Sequence, residues 1–338
     1  MGLTPKDAPP HAMVTVCGPT GSGKSALALD LAERFNGEIV NCDSLQLYRG
    51  FDIGTAKTPP SQRRGVPHHL FDVLEPQQGY SAGEYARQAR AVIAEVAARG
   101  RLPVIVGGTG FYLRALLAGL PALPGRDERL RARLLGKEQA RAGSLHRLLT
   151  RLEPAAAARI HPRDVQKLTR ALEVRLLTRS SLPPPAQAQP LEGYVNVKIG
   201  LNPDRAVLHQ RLDARAVAMF NGDLLEEVRA LLAQGATGAE KPFESLGYKQ
   251  ALRHLRGELT LEQAIASTQL ETRQYAKRQW TWFRRDPEIF WIAGLGDDPE
   301  VVAEACARVA EMLAFPGRRR PANAPAAGHG PAPLRYTD

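Results

Sequence analysis

Short apolar runs alternate with amphipathic stretches over the first 120 residues of this 338-residue chain. Three runs have the length and composition of buried strands, and they lie at residues 13–17, 38–42 and 102–106. Residues 25–35 and 83–99 instead repeat apolar positions at the spacing of a helix. Strands that alternate with helices in this way build parallel sheets, so the pattern predicts an α/β fold.

The pattern changes beyond residue 120, where Pro121 and Pro124 interrupt it. Helical periodicity then returns without an intervening strand, at residues 127–135, 144–152 and 163–179. A run of three prolines at 183–185, followed by Pro190, closes the segment. We therefore predict an all-helical insertion at residues 121–190.

The chain then returns to the predicted sheet, because residues 194–201 alternate in polarity as a strand does. A further strand is predicted at 288–293 and helices at 205–220, 224–234 and 261–285. The core is thus predicted to comprise residues 13–120 and 191–315. Residues 1–12 and a basic tail at 316–338 are predicted to be disordered, since Pro, Gly, Ala and Arg dominate the tail.

The helix predicted at 163–179 has two faces. Its apolar face contains Val165, Leu168, Leu172 and Leu176. Its basic face contains Arg163, Lys167 and Arg170. A helix that packs by one face and presents three cations on the other suits a phosphate backbone. A solvated surface helix is an equally good interpretation of this pattern alone.

Positive charge is concentrated in the predicted insertion. The whole chain has a formal net charge of +10, and residues 121–190 contain 14 Lys and Arg against 6 Asp and Glu. A local excess of this size indicates a polyanionic partner, although a basic surface without a partner would give the same count.

The three cysteines, Cys17, Cys42 and Cys306, have no paired spacing. Together with the lack of an apolar leader in the first eleven residues, this predicts a reducing cytoplasm and argues against a disulfide framework or a zinc site. No run of about 18 apolar residues occurs, so no membrane span is expected.

The strongest chemical signal is a phosphate-binding loop that matches the pattern G-x-x-x-x-G-K-[ST]. Its residues are Gly18, Pro19, Thr20, Gly21, Ser22, Gly23, Lys24 and Ser25. The glycines let backbone amides turn toward phosphate oxygens, Lys24 adds a positive charge, and the Ser25 hydroxyl can bind Mg²⁺. A predicted strand precedes the loop and a predicted helix follows it. The predicted fold class is therefore a P-loop parallel sheet flanked by helices, with an all-helical insertion.

The apparatus for nucleotide hydrolysis is incomplete. Most P-loop enzymes carry a second acidic residue at a strand end that helps to hold Mg²⁺. Asp43 follows the strand predicted at 38–42, but it opens a polar and aromatic loop. The strand predicted at 102–106 runs into Gly107, Gly108 and Thr109 without any acid. Because parallel sheets collect functional loops at the carboxyl ends of their strands, the P-loop, Asp43 and Thr109 should face one crevice.

Several separated motifs resemble those of the tRNA dimethylallyltransferases, also called tRNA isopentenyltransferases. Besides the P-loop, they are Asp43-Ser44-Leu45-Gln46-Leu47-Tyr48-Arg49-Gly50, Asp52-Ile53-Gly54-Thr55-Ala56-Lys57, Pro67-His68-His69, Gly107-Gly108-Thr109, Ile160-His161-Pro162, Leu246-Gly247-Tyr248-Lys249, and Thr272-Arg273 with Tyr275-Ala276-Lys277-Arg278-Gln279. They follow the order of the family and span most of the chain. Two departures are small: Lys249 stands where Arg is common, and a basic tail follows Phe315.

The resemblance implies a reaction and its partners. A dimethylallyl group would move from dimethylallyl diphosphate to N6 of the adenine 3′-adjacent to the anticodon of tRNAs (position 37), and diphosphate would be released. Mg²⁺ is the implied cofactor. The P-loop, in other proteins a nucleotide- or ATP-binding element, would hold the leaving diphosphate. A cytoplasmic monomer that binds the tRNA anticodon stem-loop, with no membrane partner, is expected.

The resemblance also implies roles for individual residues. Asp43 would be the base that takes the proton from adenine N6, with an Mg²⁺-linked or helix-capping Asp as the alternative. Thr109 would contact the reacting groups, with a helix N-cap as the alternative. Arg131 would reach the reaction site from the insertion. Arg215 would add a phosphate contact, unless it forms a surface salt bridge.

Three stretches are implied to contact tRNA. They are Asp43, Ser44, Leu45 and Gln46; Gln166, Lys167, Leu168, Thr169 and Arg170; and Glu244, Ser245, Leu246, Gly247, Tyr248 and Lys249. The second stretch coincides with the basic face found from the periodicity. The late predicted helix also carries Arg273, Lys277, Trp280 and Arg284 on one face, which could pack on RNA or place Trp280 in the core.

Two other functions share some of these features. A P-loop kinase or prenyltransferase that acts on a free nucleotide or other small substrate needs the P-loop and Asp43, but has less need of a basic insertion. An RNA-binding module gated by a nucleoside triphosphate would not need Asp43 as a base.

Overall fold

The structure, a computed structural model, describes residues 11–121, 123–180 and 189–314. The disorder predicted for residues 1–10 and 316–338 falls outside this part of the chain. His11 and Ala12 were assigned to the disordered end, and that boundary is wrong. Both residues belong to the first strand, because their backbone pairs in register with Tyr194 and Val195.

Among the described residues, six strands form one sheet with every neighbouring pair parallel. They are β1 (His11–Cys17), β2 (Gly37–Asn41), β3 (His68–His69), β4 (Leu102–Val106), β5 (Tyr194–Asn202) and β6 (Ile289–Ala293). Their order across the sheet is β3-β2-β4-β1-β5-β6. Both β2 and β4 are buried along their whole length. This explains why β4 appears in the sequence as a short uninterrupted apolar run, whereas β2 also contains the buried polar residues Glu38 and Asn41. The predicted α/β fold with a parallel sheet is confirmed.

Helices connect and cover the strands. They are α1 (Lys24–Arg34), α2 (Ala82–Ala98), α3 (Gly110–Ala118), α4 (Glu128–Ala140), α5 (Ser144–Leu152), α6 (Pro154–Ala157), α7 (Val165–Thr178), α8 (Arg205–Asn221), α9 (Leu224–Ala233), α10 (Tyr248–Leu255), α11 (Leu261–Phe283) and α12 (Pro299–Ala314). Local sequence fixes several starts: Ser81 with Glu84 and Thr260 with Gln263 form capping boxes at α2 and α11. None of the described helices is long and apolar enough to cross a membrane.

The described chain forms two compact units. The larger unit contains the sheet, and its main core packs α1 and α12 against the strands through residues such as Val14, Leu27 and Val309. The smaller unit is Ala118–Pro190 and has its own apolar core, which includes Leu145, Leu149, Leu168 and Leu172. It contains helices and no strand in its described residues, as the periodicity predicts.

Some features of the fold were not predicted. Helices α3, α6, α10 and α12 and the two-residue strand β3 were absent from the prediction. The predicted apolar face of α7 ends one turn early, because Leu176 is 39% exposed whereas Leu168 and Leu172 are fully buried. Helices as short as α3 and α10 and a two-residue strand give too few repeats for periodicity to identify them. Helix α12, with 16 residues, is long enough and was missed for another reason.

Candidate active site

Three loops meet at the carboxyl edge of the sheet, after β1, β2 and β4. These strands are adjacent, with β4 between the other two. Backbone hydrogen bonds continue past the strand ends, from Cys42 N to Val106 O at 2.7 Å and from Gly107 N to Val16 O at 3.3 Å. The sheet therefore delivers the P-loop, the Asp43 loop and the Thr109 loop to one edge, as predicted.

The P-loop follows β1 and leads directly into α1. Gly23 has a left-handed backbone with φ of 85° and precedes the first helical residue, Lys24. A side chain there is excluded both by this conformation and by Asp297 and Gly296, which lie 2.7 Å from where its Cβ would be. The first amides of α1 have no side-chain cap, so they remain available to an anion.

Lys24 is a half-buried cation. Its Nζ donates a hydrogen bond to the carbonyl of Pro19 in the same loop, at 2.7 Å. The pKa of Lys24 is lowered from 10.5 to about 8 as the net result of several causes. Loss of hydration lowers it most, Asp43 raises it, Arg215 lowers it, and Cys17 raises it. Two cations and one carboxylate thus share the crevice, an arrangement that favours a bound anion over an empty site.

Arg215 lies on α8 and points at the P-loop. Its Nη2 donates to the Thr20 hydroxyl at 3.0 Å. Burial is the main cause that lowers the pKa of Arg215, with the Arg211 charge second and Asp43 in opposition. The surface salt bridge considered for Arg215 is wrong, since it forms no ion pair with any described residue, whereas Arg211 pairs with Asp297 at 2.8 Å.

Asp43 opens the loop that follows β2. The Asn41 side chain fixes this turn: it accepts the Asp43 amide at 2.8 Å and donates to the Asp43 carbonyl at 3.1 Å. The Asp43 Oδ1 accepts the Leu45 amide at 2.9 Å, which is an Asx turn and not the cap of a helix. No described residue hydrogen-bonds to Asp43 Oδ2, so one carboxylate oxygen is available in the crevice.

Thr109 joins the loop after β4 to the Asp43 loop. Its hydroxyl accepts the Ser44 amide at 3.1 Å and lies 3.4 Å from the Ser44 hydroxyl. Its backbone carbonyl accepts the amides of Tyr112 and Leu113 in the first turn of α3. The side chain therefore serves the neighbouring loop instead of capping α3, so the helix-cap interpretation of Thr109 is wrong.

Two residues of α11 reach the crevice and were not singled out from the sequence. Gln279 accepts the Thr20 amide at 2.7 Å and donates to the Gly108 carbonyl at 2.9 Å. Burial is the main cause that raises the pKa of Tyr275, the Asp43 charge adds to it, and Arg278 and a hydrogen bond with Gln279 oppose it. Both residues lie in a family-like motif, but their contacts depend on how α11 packs.

The face of α11 that could pack on RNA is largely occupied by contacts within the protein. Arg273 pairs with Asp213 of α8 at 2.5 Å. Trp280 packs against Leu208 and Leu212 of α8, and the Arg284 guanidinium lies 5.3 Å from the centre of the Trp280 ring. Trp280 is therefore part of a small core, as the alternative interpretation held.

The segment from Glu244 to Lys249 mixes exposed and buried residues. Glu244 and Lys249 are exposed and Ser245 and Leu246 half-buried, whereas Gly247 and Tyr248 are buried. The Tyr248 hydroxyl donates to Glu227 and accepts the Gly54 amide, the latter at 3.1 Å. The predicted contact between tRNA and the Tyr248 side chain is therefore wrong, because the buried Tyr248 side chain anchors the loop that follows Asp43.

The stretch from Gln166 to Arg170 in α7 also divides. Gln166 and Lys167 are exposed, but Leu168 and Thr169 are buried in the core of the smaller unit, so their predicted side-chain contact with tRNA is corrected. Arg170 pairs with the fully buried Glu173 at 2.6 Å, whereas Lys167 pairs with Asp164 at the surface. The free cationic surface of α7 is smaller than predicted.

Arg131 lies on α4 in the smaller unit and also pairs with Glu173, at 3.1 Å. Glu173 further accepts the Asp127 amide at 2.8 Å. Hydrogen bonds and the charges of the two arginines, Arg170 first, lower the pKa of Glu173 against the opposing effect of burial, which is the largest single contribution. One buried carboxylate therefore orients two of the predicted site residues, and the role of Arg131 at the reaction stays a prediction.

A magnesium ion would find its protein ligand in the first turn of α1. The Ser25 side chain is exposed beside Lys24. The part of the chain that the structure describes contains no group of three or more His, Cys, Asp or Glu that could hold a metal. Magnesium keeps several waters and often takes only one or two protein oxygens beside the phosphates of a substrate, so Ser25 fits this use.

Comparisons with known proteins agree on one kind of enzyme. The sequence model of a family described as IPP transferase matches residues 46–286. A tRNA dimethylallyltransferase of Solibacter usitatus is 58% identical over 303 residues, which cover 89% of this chain and 99% of that protein. The tRNA dimethylallyltransferase of Koribacter versatilis is 54% identical over 297 residues, which cover 87% and 96%.

Solved structures give the same picture. A tRNA isopentenylpyrophosphate transferase of Bacillus halodurans superposes with a TM-score of 0.67 at 36% identity, over 90% of this chain and 97% of that one. A eukaryotic dimethylallyltransferase, in a study of its action on tRNA, superposes with a TM-score of 0.77 at 26% identity, over 90% and 80%.

Proposed function

The chain belongs to the tRNA dimethylallyltransferase family, and from this membership we propose that it transfers a dimethylallyl group from dimethylallyl diphosphate to N6 of an adenine in tRNA. The acceptor is the adenine 3′-adjacent to the anticodon, at position 37, and diphosphate is the second product. One observation carries the proposal: the half-buried Lys24 cation of the P-loop shares a crevice with Asp43, whose Oδ2 has no partner in the described chain.

The donor half of the reaction belongs to the P-loop. Amides of the loop and of the first turn of α1, with Lys24 and Arg215, hold the diphosphate. As the bond between the allylic carbon and the diphosphate oxygen breaks, negative charge grows on the leaving oxygens. Fixed donors in a buried crevice stabilise that charge better than water does, because they need no reorganisation. Ser25 would hold Mg²⁺, which would supply further charge neutralisation there.

The acceptor half belongs to the loops after β2 and β4. An exocyclic adenine amine is a weak nucleophile, because its lone pair is delocalised into the ring. As the new bond forms between N6 and the allylic carbon, the N6 proton passes to Asp43 Oδ2. The Thr109 hydroxyl, already bound to the Asp43 loop at the Ser44 amide, orients the amine. The electron pair of the broken C–O bond leaves with the diphosphate.

The adenine must leave its stack to reach such a crevice, which costs least in a single-stranded loop. An anticodon loop meets this condition, whereas a base in a duplex does not. Exposed cations supply the sequence-independent part of the affinity, and Lys167 on α7 is one of them. Its pair with Asp164 is exposed and therefore weak enough for a phosphate to replace.

Lys167→Ala is expected to weaken tRNA binding and to make it less sensitive to salt. Loss of one phosphate contact should reduce the slope of log K against log salt by about 1. The measurement is tRNA binding by filter retention or anisotropy across a salt series. Lys137→Ala, which removes an exposed lysine from α4 of the same unit, is the control. An unchanged slope for Lys167→Ala would make this surface of α7 an ordinary solvated helix face.

The proposed function is tested by transfer of labelled dimethylallyl diphosphate, in the presence of Mg²⁺, to an unmodified tRNA with adenine 3′ to its anticodon. Free AMP and ATP serve as parallel acceptors. Label should enter the tRNA alone. Label in AMP or ATP would favour a small-substrate prenyltransferase instead, and no transfer to any acceptor would favour the nucleotide-gated alternative.

The same proposal places the enzyme in the cytoplasm, where its substrate is found. The three cysteines are free and buried, in keeping with a protein that does not rely on disulfides. A monomer is proposed, with gel filtration and light scattering as the check.

A further inference from the structure

The Gln279 side chain adds a direct link between two loops that follow the adjacent strands β1 and β4. It is 5% exposed and reaches out of α11. Its Oε1 accepts the amide of Thr20 in the P-loop at 2.7 Å, and its Nε2 donates to the carbonyl of Gly108 at 2.9 Å. Gly108 immediately precedes Thr109. One neutral amide thus spans the loop that holds the leaving group and the loop that orients the acceptor.

The two loops fit closely around this bridge. A Cβ on Gly108 would lie 2.2 Å from Gln279 Nε2, so a larger residue at position 108 would displace the amide. The Thr20 hydroxyl is already occupied by Arg215, at 3.0 Å. The amide and the hydroxyl of Thr20 are therefore both used to fix the P-loop and are not available to the phosphate.

We propose that Gln279 is a positioning residue that sets the distance between the allylic carbon of the donor and the amine of the acceptor. The inference rests on the proposed function and goes beyond it. The chain of contacts runs from Thr20 through Gln279 to Gly108, and then from Thr109 to the Ser44 amide beside Asp43. If this bridge is lost, each loop still binds its own substrate, but the allylic carbon and the acceptor amine are no longer held at the reacting distance.

Loss of register has a chemical signature. When the C–O bond of the donor breaks with the acceptor amine out of place, water attacks the allylic carbon. The products are then dimethylallyl alcohol and diphosphate, and the surplus proton goes to solvent. A mutation that only loosens the fold would lower the amount of active enzyme without changing the ratio of alcohol to modified tRNA.

The test is Gln279→Met, which keeps the length of the side chain and removes both hydrogen bonds. The kcat for transfer should fall by about 10- to 100-fold, because a displacement of about 1 Å costs that much in well-oriented reactions. The donor KM should change by less than about threefold. The ratio of dimethylallyl alcohol to modified tRNA should rise by at least about tenfold. The measurement follows label from the donor into both products during steady-state turnover.

Two further variants keep the test decisive. Gly108→Ala breaks the same bridge from the opposite end and should raise the ratio as well, which guards against a folding defect in Gln279→Met. Gln269→Met is the matched control, since Gln269 lies on the same helix and its side chain donates to the carbonyl of Asp213 at 3.2 Å, away from both loops. Its product ratio should equal that of the wild type.

The outcomes separate this inference from the proposed function. Wild-type enzyme that modifies no tRNA would overturn the proposed function, whatever the variants do. Wild-type enzyme that modifies tRNA, together with unchanged product ratios in both Gln279→Met and Gly108→Ala, would overturn the bridge alone.

Discussion

Asp43→Asn is expected to lower kcat for transfer to tRNA by about 10²- to 10⁴-fold, the range over which general bases contribute. The substitution preserves the local structure, because an Asn Oδ1 can still accept the Leu45 amide and the Asn41 contacts are to the backbone. The substitution does remove the base, because a neutral amide cannot take the proton from the acceptor amine. The Kd for tRNA, measured by filter retention or anisotropy, should stay within about threefold of the wild-type value.

Donor binding needs a controlled pH in this comparison. The Asp43 charge raises the pKa of Lys24, so its removal makes Lys24 lose its proton at a lower pH. Measurements at about pH 6.5 lie below the wild-type pKa of about 8 and therefore reduce the difference in Lys24 charge between the two proteins. The fall in kcat then reports the missing base and not a missing cation.

Asp297→Asn is the matched control, since it removes a carboxylate near the P-loop that pairs with Arg211 and does not touch the Asp43 loop. Near-normal turnover of Asp43→Asn would eliminate Asp43 as the base. A defect that high Mg²⁺ concentrations repair would instead support the metal-linked interpretation of this carboxylate.

Much of the site could be predicted from local sequence. The P-loop is contiguous, and its strand and helix neighbours are visible as an apolar run and an amphipathic stretch. Asp43 and Thr109 follow apolar runs that are buried strands, and the rule that parallel strands present their carboxyl ends together brings both to the P-loop. Each of these inferences needs only nearby residues and one topological rule.

The remainder depends on contacts between distant parts of the chain. Gln279 and Thr20 are 259 residues apart, and nothing in either segment indicates that they meet. Periodicity located α7 and the helices α4 and α5 that pack against it, but not how they pack, so it could not show that Arg170 turns toward the buried Glu173 while Lys167 stays exposed. Cationic side chains are long enough to serve either a partner or the fold, and only packing decides between them.

Lys24→Met is expected to reduce kcat/KM for the donor by about 10²- to 10³-fold, the typical effect of removing one fixed donor from a developing oxyanion. Steady-state kinetics with saturating tRNA measure it. Arg211→Met, which removes a cation on α8 that is already neutralised by Asp297, should change kcat/KM far less. Equal losses in the two variants would mean that the crevice responds to net charge and has no specific need for Lys24.

The same variant should also be more stable than wild type at pH 7. Burial lowers the pKa of Lys24 to about 8, against 10.5 for an exposed lysine, so the folded protein carries this charge at a cost whenever it is protonated. The cost is complete below about pH 8 and fades as pH rises toward 10.5. Calorimetry should therefore find a higher Tm for Lys24→Met at pH 7 and a smaller advantage at pH 9.5.

A lower Tm at pH 7 would show that Lys24 contributes more through its bond to Pro19 than its burial costs. A stable but inactive variant would instead identify Lys24 as a residue that the fold tolerates because the leaving diphosphate needs it.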